Sequence, residues 1–450
     1  MYTDEELKDT AVNVLRKLEQ KFSFECAEVY IQSLYHMMGG TEYRTPKVFQ
    51  STNRAGCAIR FFKNNELFFA CFPLPTVLNE IENLLSITSY PISTKAFDFP
   101  EISLGSSRIE NIYDRRIASM HEEEIFNLSY SLNQADESFK EIILDGSIML
   151  SLERKAIANS SQAVAFEKST WFDIDVRALY RGFDMISSSE KHLTSRQIPN
   201  SIHSIVDDLI SETIQKTVHA DKLENVTVPV VFSPMAFSQI FSFSIVPLLR
   251  GSSSEKLSSE LSPDFNLIDD GTVPGLPNST AFDDEGVNQA KTIVIKNGVF
   301  EQLLNSSQFK EEGEMNSGNS FRVKMFEYFP RNYQAYPSIY PSNLLIGEGE
   351  TLSETIIEEI GDGIFVNSTH GYMTADYHSG AFKVSANDAY KIEKGEIVGT
   401  LDTFDIIGNI FEVLSKNPLF SKDRKVVRPN NTPYSIVSPC VVSEEISIFL

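Results

Sequence analysis

The sequence is poor in the residues that build staples and cofactor cradles. Four cysteines, Cys26, Cys57, Cys71 and Cys440, are scattered over 450 positions without CxxC spacing, which argues against a disulfide framework or a thiolate zinc knuckle. No window approaches the ~18 uninterrupted apolar residues of a membrane-spanning helix. The start, MYTDEELKD, is acidic where an export signal is basic and then apolar, so a cytoplasmic location without a membrane partner is expected. Positive charge is also scarce: 39 Lys and Arg stand against 62 Asp and Glu, a formal net charge of −23. Asp114-Arg115-Arg116 and the run 422–425 are short and diluted by acids. A body of that sign repels a nucleic-acid backbone, so direct nucleic-acid binding is not expected.

The common catalytic signatures are missing as well. There is no GxxxxGK[ST], no GxGxxG and no GxSxG. HExxH is absent too: His121-Glu122 opens the run HEEEIF, but Ile125 and Phe126 stand where a second histidine belongs. That run reads as an acidic helix face.

What is present suits a large folded core. Hydrophobic residues make up 42% and charged residues 22%, and at ~150 residues per domain the length suggests two or three domains. Thr3 and Glu6 form a capping box ahead of Leu7, Ala11, Val14, Leu15 and Leu18, the spacing of one helix face. Ala27, Val29 and Ile31 alternate with Glu28, Tyr30 and Gln32, the pattern of a half-buried strand. Asn64-Asn65 marks a hairpin turn, 141–179 is β-patterned with a turn at 159–161, and Pro75 to Leu85 and Asp114 to Gln134 read as helical.

A polar stretch up to Asn200 precedes a helix at about His203 to Val218, and is taken as a boundary. Beyond it come an apolar strand at 226–232, a Ser233-Pro234 helix start, an Asn297-Gly298 hairpin, and a late helix with a Thr351/Glu354 capping box that ends near Gly361. The expected fold class is α+β. Residues 1–200 form an N-terminal α/β sandwich-like domain. Residues 201–450 form a domain rich in antiparallel hairpins, a curved or barrel-like sheet with few helices.

Two clusters carry potential chemistry. His370, Asp376 and His378 fall within nine residues and would hold a metal if a hairpin gathered them; the plainer reading is a glycine-flanked polar loop. Asp283, Asp284 and Glu285 precede Gly286 and would suit a hard cation or acid–base work; the plainer reading is a turn whose carboxylates cap backbone N–H groups. Cys440, in an apolar run, reads as core rather than ligand. From these residues alone no reaction follows.

A series of runs is more specific: LIDDG at 267–271, Pro274-Gly275, AFDDEG at 281–286, TIVIKNGVF at 292–300, NSGN at 316–319 and PSNL at 341–344. It continues with Gly371, TADY at 374–377, KIEKGE at 391–396 and IGN at 407–409. In this order and spacing, over about Val226 to Leu419, the chain resembles the TldD/PmbA family, also called modulator of DNA gyrase. Glu28-Val29-Tyr30 and 56–60 extend the likeness more loosely. The resemblance implies a subunit of a paired assembly. In such pairs a TldD-type chain carries a zinc-binding HExxxH on a helix after an apolar strand, and a PmbA (TldE)-type chain lacks it.

Aligning 230–234 with the family's strand and turn places the zinc helix on 240–248, with Ser242, Phe243 and Pro247 at the His, Glu and His positions. Residues 236–248 contain no His, Asp, Glu or Cys. The resemblance therefore implies a TldE-like, non-catalytic subunit without a cofactor of its own, paired in a heterodimer with a TldD-like subunit that carries the zinc. It helps bind extended peptides for degradation or processing, with Asp283, Asp284, Glu285, His370 and Asn409 near the groove, and forms a homodimer when alone. The alternatives are an independent metal-dependent hydrolase built on His370, Asp376 and His378, or a gyrase-modulating adaptor acting by protein contact. Two departures from the family pattern are a short serine-rich stretch at 251–264 and an insertion at 385–388.

Overall fold

The computed structural model describes residues 2–42, 45–74, 76, 81, 90–93, 98–102, 108–133, 141–161, 163–182, 186–220, 227–251, 261–310, 314–325, 327, 329–429 and 432–449. Helix α1 (Asp4–Lys21) begins at the expected capping box, with Glu6 N donating to Thr3 Oγ1 at 3.2 Å and Thr3 N to Glu6 Oε2 at 2.7 Å. Its apolar face rests on an antiparallel sheet of seven strands in the order β4-β3-β2-β1-β5-β6-β7. These are β1 (Cys26–Glu42), β2 (Thr45–Lys63), β3 (Glu66–Pro73), β4 (Tyr90–Ser93), β5 (Ile142–Asn159), β6 (Val164–Arg181) and β7 (Ile186–Ser195). The β2–β3 turn is the predicted one: Asn64 and Asn65 both take positive φ, 53° and 64°, as a two-residue hairpin of type I′ requires.

The helices among the described residues of this half cover one face. Ala27, Val29, Ile31, Ala156 and Ala158 meet α1. Farther along the same strand faces, Ile148, Leu150, Phe172 and Ile174 meet α2 (Arg115–Ser119), α3 (Glu122–Tyr130) and α4 (Ile202–Gln215). The single helix read across 114–134 is thus two. Asp114 caps α2 by accepting from Arg116 N, and the chain turns extended at Met120 and His121. There the Glu124 carboxylate accepts from His121 N at 2.7 Å and starts α3 afresh. The helix read over 75–85 falls largely outside the described residues.

The other face of the sheet corrects the half-buried reading of β1. Glu28, Tyr30 and Gln32 are 0%, 1% and 1% exposed, because the second half of the chain packs onto them.

That second half contains a closed barrel of five strands. In it β8 (Thr227–Phe232) runs parallel to β15 (Gly363–His370), which continues through β16 (Ala381–Glu393) and β18 (Phe404–Asn409) to β20 (Ser435–Phe449), and β20 pairs back onto β8. The strands β9 (Leu267–Asp270), β10 (Lys291–Lys296), β11 (Val299–Phe300) and β14 (Asn343–Ile346) extend the sheet beyond β20. β17 (Glu396–Thr400) joins β16, β19 (Leu419–Val427) joins β20, and β12 (Ser320–Arg322) and β13 (Pro337–Ile339) form a separate pair. The β10–β11 turn carries Asn297 and Gly298 at φ 48° and 75°, as expected.

The α-helices among the described residues here are α5 (Pro234–Ser244), α6 (Ser353–Ile360) and α7 (Ile410–Ser415). α6 ends at Gly361, φ 74°, as expected. Its start is not the Thr351/Glu354 box: the first helical residue is Ser353, whose N and Oγ each donate to the Asp423 carboxylate at 2.7 Å. A cap from β19 replaces the local one because α6 lies against that strand. Residues 385–388 sit within β16, where the register with β15 shifts. In the 251–264 stretch, 252–260 lie outside the described residues. The α+β class and the barrel-like second sheet are as expected from the sequence. Among the described residues, no helix is long and apolar enough to cross a membrane.

Candidate functional site

The helix that follows the apolar strand β8 is α5. Its N-cap is Ser233, which accepts from Ala236 N at 3.1 Å and donates its hydroxyl to Asn367 O at 2.6 Å, with Pro234 in the first turn. Phe237, Ile240 and Phe241 join the barrel core. The α-helix stops at Ser244 and becomes a 3-10 turn over Val246–Leu249 that contains Pro247, since proline has no N–H to continue the ladder.

Ser242 is buried and its Oγ has no partner among the described residues, while its carbonyl accepts from Tyr434 Oη at 3.5 Å. The Phe243 ring sits 5.6 Å from that of Tyr372. This donor set does not fit zinc. A hydroxyl is a poor ligand, a benzyl group cannot take a proton, a pyrrolidine ring offers no lone pair, and Pro247 lies beyond the helix that would have to present it. Among the described residues no group of three or more His, Cys, Asp and Glu side chains converges as a metal site.

Tyr372 belongs to the loop after β15, so the loop carrying His370, Asp376 and His378 adjoins the end of α5. His370, exposed, is the last residue of β15 and pairs with Ser385. Gly371 then takes φ 80° and a 3-10 turn runs over Tyr372–Thr374. Asp376 is committed to its own turn, accepting from His378 N at 3.0 Å and Ser379 Oγ at 2.7 Å. Those bonds, that from Ser379 foremost, hold its carboxyl below the usual range. The His378 ring packs on Tyr377 at 4.0 Å between centroids. Asn409 braces the loop: its Nδ2 donates to Ser379 O at 2.7 Å, and its Oδ1 caps α7 through Phe411 N at 2.9 Å.

Asp283, Asp284 and Glu285 lie elsewhere and are 0%, 2% and 1% exposed. They face the second side of the seven-stranded sheet. Asp283 accepts from the backbone N–H groups of Glu285, Val287 and Ser320 at 2.9, 2.9 and 3.0 Å. Even so, burial, with Glu285 alongside, pushes its carboxyl well above the ordinary value. Asp284 accepts from Arg322 N at 2.7 Å and lies 3.5 Å from Lys155 Nζ. Glu285 takes a guanidinium bond from Arg60 at 2.9 Å and an N–H from Ser307 at 3.1 Å.

Arg60 also grips Glu28, its cross-strand neighbour, at 2.5 and 3.0 Å, and Arg322 reaches the same Glu28 at 2.8 Å. Burial works against the Arg60 charge, but Glu28 and Glu285 overcome it and hold the guanidinium protonated well above its usual range. These carboxylates are therefore structural partners of a buried ion network rather than lining of an open groove. Glu28 and Arg60 fall within the looser stretches of the likeness, 28–30 and 56–60, whereas Lys155 and Arg322 fall in no motif. Within their strands, Glu28 between Ala27 and Val29 and Arg60 between Ile59 and Phe61 are single charges among apolar neighbours.

Beside this network is a cavity of about 20 Å³ open to the centre of a water molecule, lined by Glu153, Lys155, Trp171, Arg196, Asp284 and Arg331 among others. Among the described residues Trp171 Nε1, Arg196 Nε and Arg331 Nη1 have no acceptor, and the space is that of an ordered water. Burial raises the Glu153 carboxyl and lowers Arg196 to about 10.

Comparison with known proteins aligns with this architecture. Residues 225–449 match the family description "PmbA/TldA metallopeptidase C-terminal domain". An uncharacterized protein of Methanocaldococcus jannaschii is 21% identical over 418 residues, 89% of this chain and 92% of that one. A metalloprotease of the same organism is 29% identical over 170 residues, 38% of this chain and 36% of its own length. A TldD metalloprotease homolog of Buchnera aphidicola is 28% identical over 204 residues, 43% of this chain and 40% of its own. With those two, the likeness thus spans well under half of either partner. In fold, the chain is similar to TldE from Thermococcus kodakarensis, with a TM-score of 0.85, 22% identity, and coverage of 98% of this chain and 100% of that one.

Proposed function

We propose, from the premise that the chain belongs to the PmbA/TldD family of metallopeptidases, that it is the metal-free, TldE-like member of a two-chain cytoplasmic peptidase. A TldD-type partner would supply the zinc and its water-activating base, and this chain would help to hold an extended peptide. The observation that carries the reading is the chemistry of Ser242, Phe243 and Pro247 on and after α5. Zinc hydrolysis requires imidazoles to hold the ion and a carboxylate to take a proton from the water bound to it, and none of these three side chains can do either. The likeness to a structure named TldE and to metalloproteases named TldD homologs supports the division of labour. The strand edges of the barrel half suit an extended peptide, which gains affinity by adding backbone hydrogen bonds to a sheet. A hydrolase built on His370, Asp376 and His378 is disfavoured, because Asp376 spends both oxygens on its own turn.

The test is purification of this chain alone and after co-expression with a TldD-type chain, with native mass, zinc content and hydrolysis of unfolded peptides measured on each. The expected result is a heteromeric complex that contains zinc and cleaves peptides, and an isolated chain that does neither. Stoichiometric zinc on the isolated chain, or peptide cleavage by it, overturns the reading.

A further inference from the structure

On the helix-covered face of the seven-stranded sheet, a gap opens between β6, residues 108 and 113, and α2. The gap is a pocket of about 480 Å³ lined by Arg108, Tyr113, Arg115, Ala118, Ser119 and Lys168. We propose that this pocket binds a small oligoanion, a ligand carrying two or more phosphate or carboxylate groups. The volume is that of a small-molecule site, for which about 300–1,000 Å³ is usual.

The charge is out of keeping with the chain. Acids outnumber bases 62 to 39 overall, yet three of the six lining side chains are cations and none is a carboxylate. Neither Arg108 nor Arg115 forms an ion pair with a described residue, whereas the adjacent Arg116 is paired with Asp114 at 2.8 Å. Lys168 is held by Asp4 at 2.8 Å, but Asp4 also serves Arg154 at 3.0 Å, so one carboxylate is shared by two cations and positive charge is left over. The remaining polar groups, the Tyr113 phenol and the Ser119 hydroxyl, can both donate to an anion.

The wall is pinned rather than loose. Asp114, between Tyr113 and Arg115, donates its N–H to Thr170 Oγ1 at 2.8 Å, and Thr170 N donates to Ile112 O at 2.9 Å, fixing the segment along β6. The Asp114 carboxylate accepts from Arg116 N at 2.8 Å and Ile198 N at 3.2 Å. Tyr113 and Arg115 therefore flank an immobile residue, and Lys168 rises from the strand beneath, its ammonium 5.1 Å from the Tyr113 ring. Guanidinium groups that face an opening without a partner favour planar oxyanions, which they bind bidentately.

Calorimetric titration of the full chain with sodium pyrophosphate, and separately with citrate, tests this. The expected result is saturable one-site binding by at least one of them, weakening as salt rises. The double variant R108Q/R115Q, and independently R115E, should lose at least about tenfold in affinity with an unchanged melting temperature. R177Q, which removes an exposed arginine paired with Asp145 on another part of the sheet, should bind as the parent does. Binding of pyrophosphate alone assigns phosphate chemistry and of citrate alone carboxylate chemistry. Absence of saturable heat with both titrants, undiminished binding by R108Q/R115Q, or an equal loss in R177Q overturns the proposal.

Discussion

Arg60 Nη1 donates to Glu285 Oε1 at 2.9 Å across 225 residues of chain, with both side chains no more than 1% exposed. The contact ties the middle of the seven-stranded sheet to a loop of the barrel half. Removal of one member of a buried pair leaves the other charge stranded, which costs about 3–5 kcal/mol. Arg60→Met should lose that much in chemical denaturation. Adding Glu285→Gln should restore at least about 1 kcal/mol of it, since one of the two carboxylates that Arg60 held is then neutral and the other, Glu28, keeps Arg322. Strictly additive losses in the double variant would show that the pair is not coupled.

Gly56 marks a second point of contact between the halves. A Cβ built there would overlap the Tyr333 ring, and the ring body has little freedom to retreat because Tyr333 is buried. Gly56→Ala should therefore destabilise by about 1–3 kcal/mol, as overpacking does, and the loss should shrink in a Tyr333→Ala background. An equal loss in both backgrounds would place the strain elsewhere.

Asp269 offers a pH signature. Burial lifts its carboxyl from the ordinary 3.8 to about 7 against the bonds from Asn319 Nδ2 at 2.6 Å and Ser342 N at 2.8 Å. The folded state thus keeps a proton that the unfolded chain has released. The stabilisation is fully present below about pH 4 and is lost as pH rises towards 7. Asp269→Asn should flatten that part of the stability–pH curve, measured as denaturation midpoints between pH 4 and 7.5. A curve of unchanged slope would refute the assignment.

The cap of α6 separates local from tertiary control. Asp423→Ala should cost about 1 kcal/mol, the usual worth of an N-cap, because Asp423 accepts from both Ser353 N and Ser353 Oγ at 2.7 Å. Thr351→Ala should be nearly neutral. The reverse order in thermal denaturation would favour the local capping box.

Much of the local structure was legible because its causes are local. The Thr3/Glu6 box, the paired positive-φ asparagines at 64 and 65, the Ser233-Pro234 start and the glycine stop at 361 each depend on a few neighbouring residues. The candidate site was legible in part. The groups at 242, 243 and 247 can be read as chemically unable to bind zinc wherever they lie, and the loop beside them was found through His370 and Asn409. The role of Asp283, Asp284 and Glu285 was not, since a carboxylate beside a glycine reads alike whether it faces water or a buried guanidinium.

The sequence by itself determined the start of α1, the turns at Asn64-Asn65 and Asn297-Gly298, the stop at Gly361 and the lack of zinc-binding donors at 236–248, since backbone chirality, capping and functional-group chemistry act within a few residues. Only the tertiary structure decided that the polar face of β1 is buried, that Arg60 meets Glu285, and that β20 returns to β8 to close the barrel. Alternation along a strand shows that one face is polar without showing what covers it. A pairing between positions hundreds of residues apart exists only once the whole chain has packed.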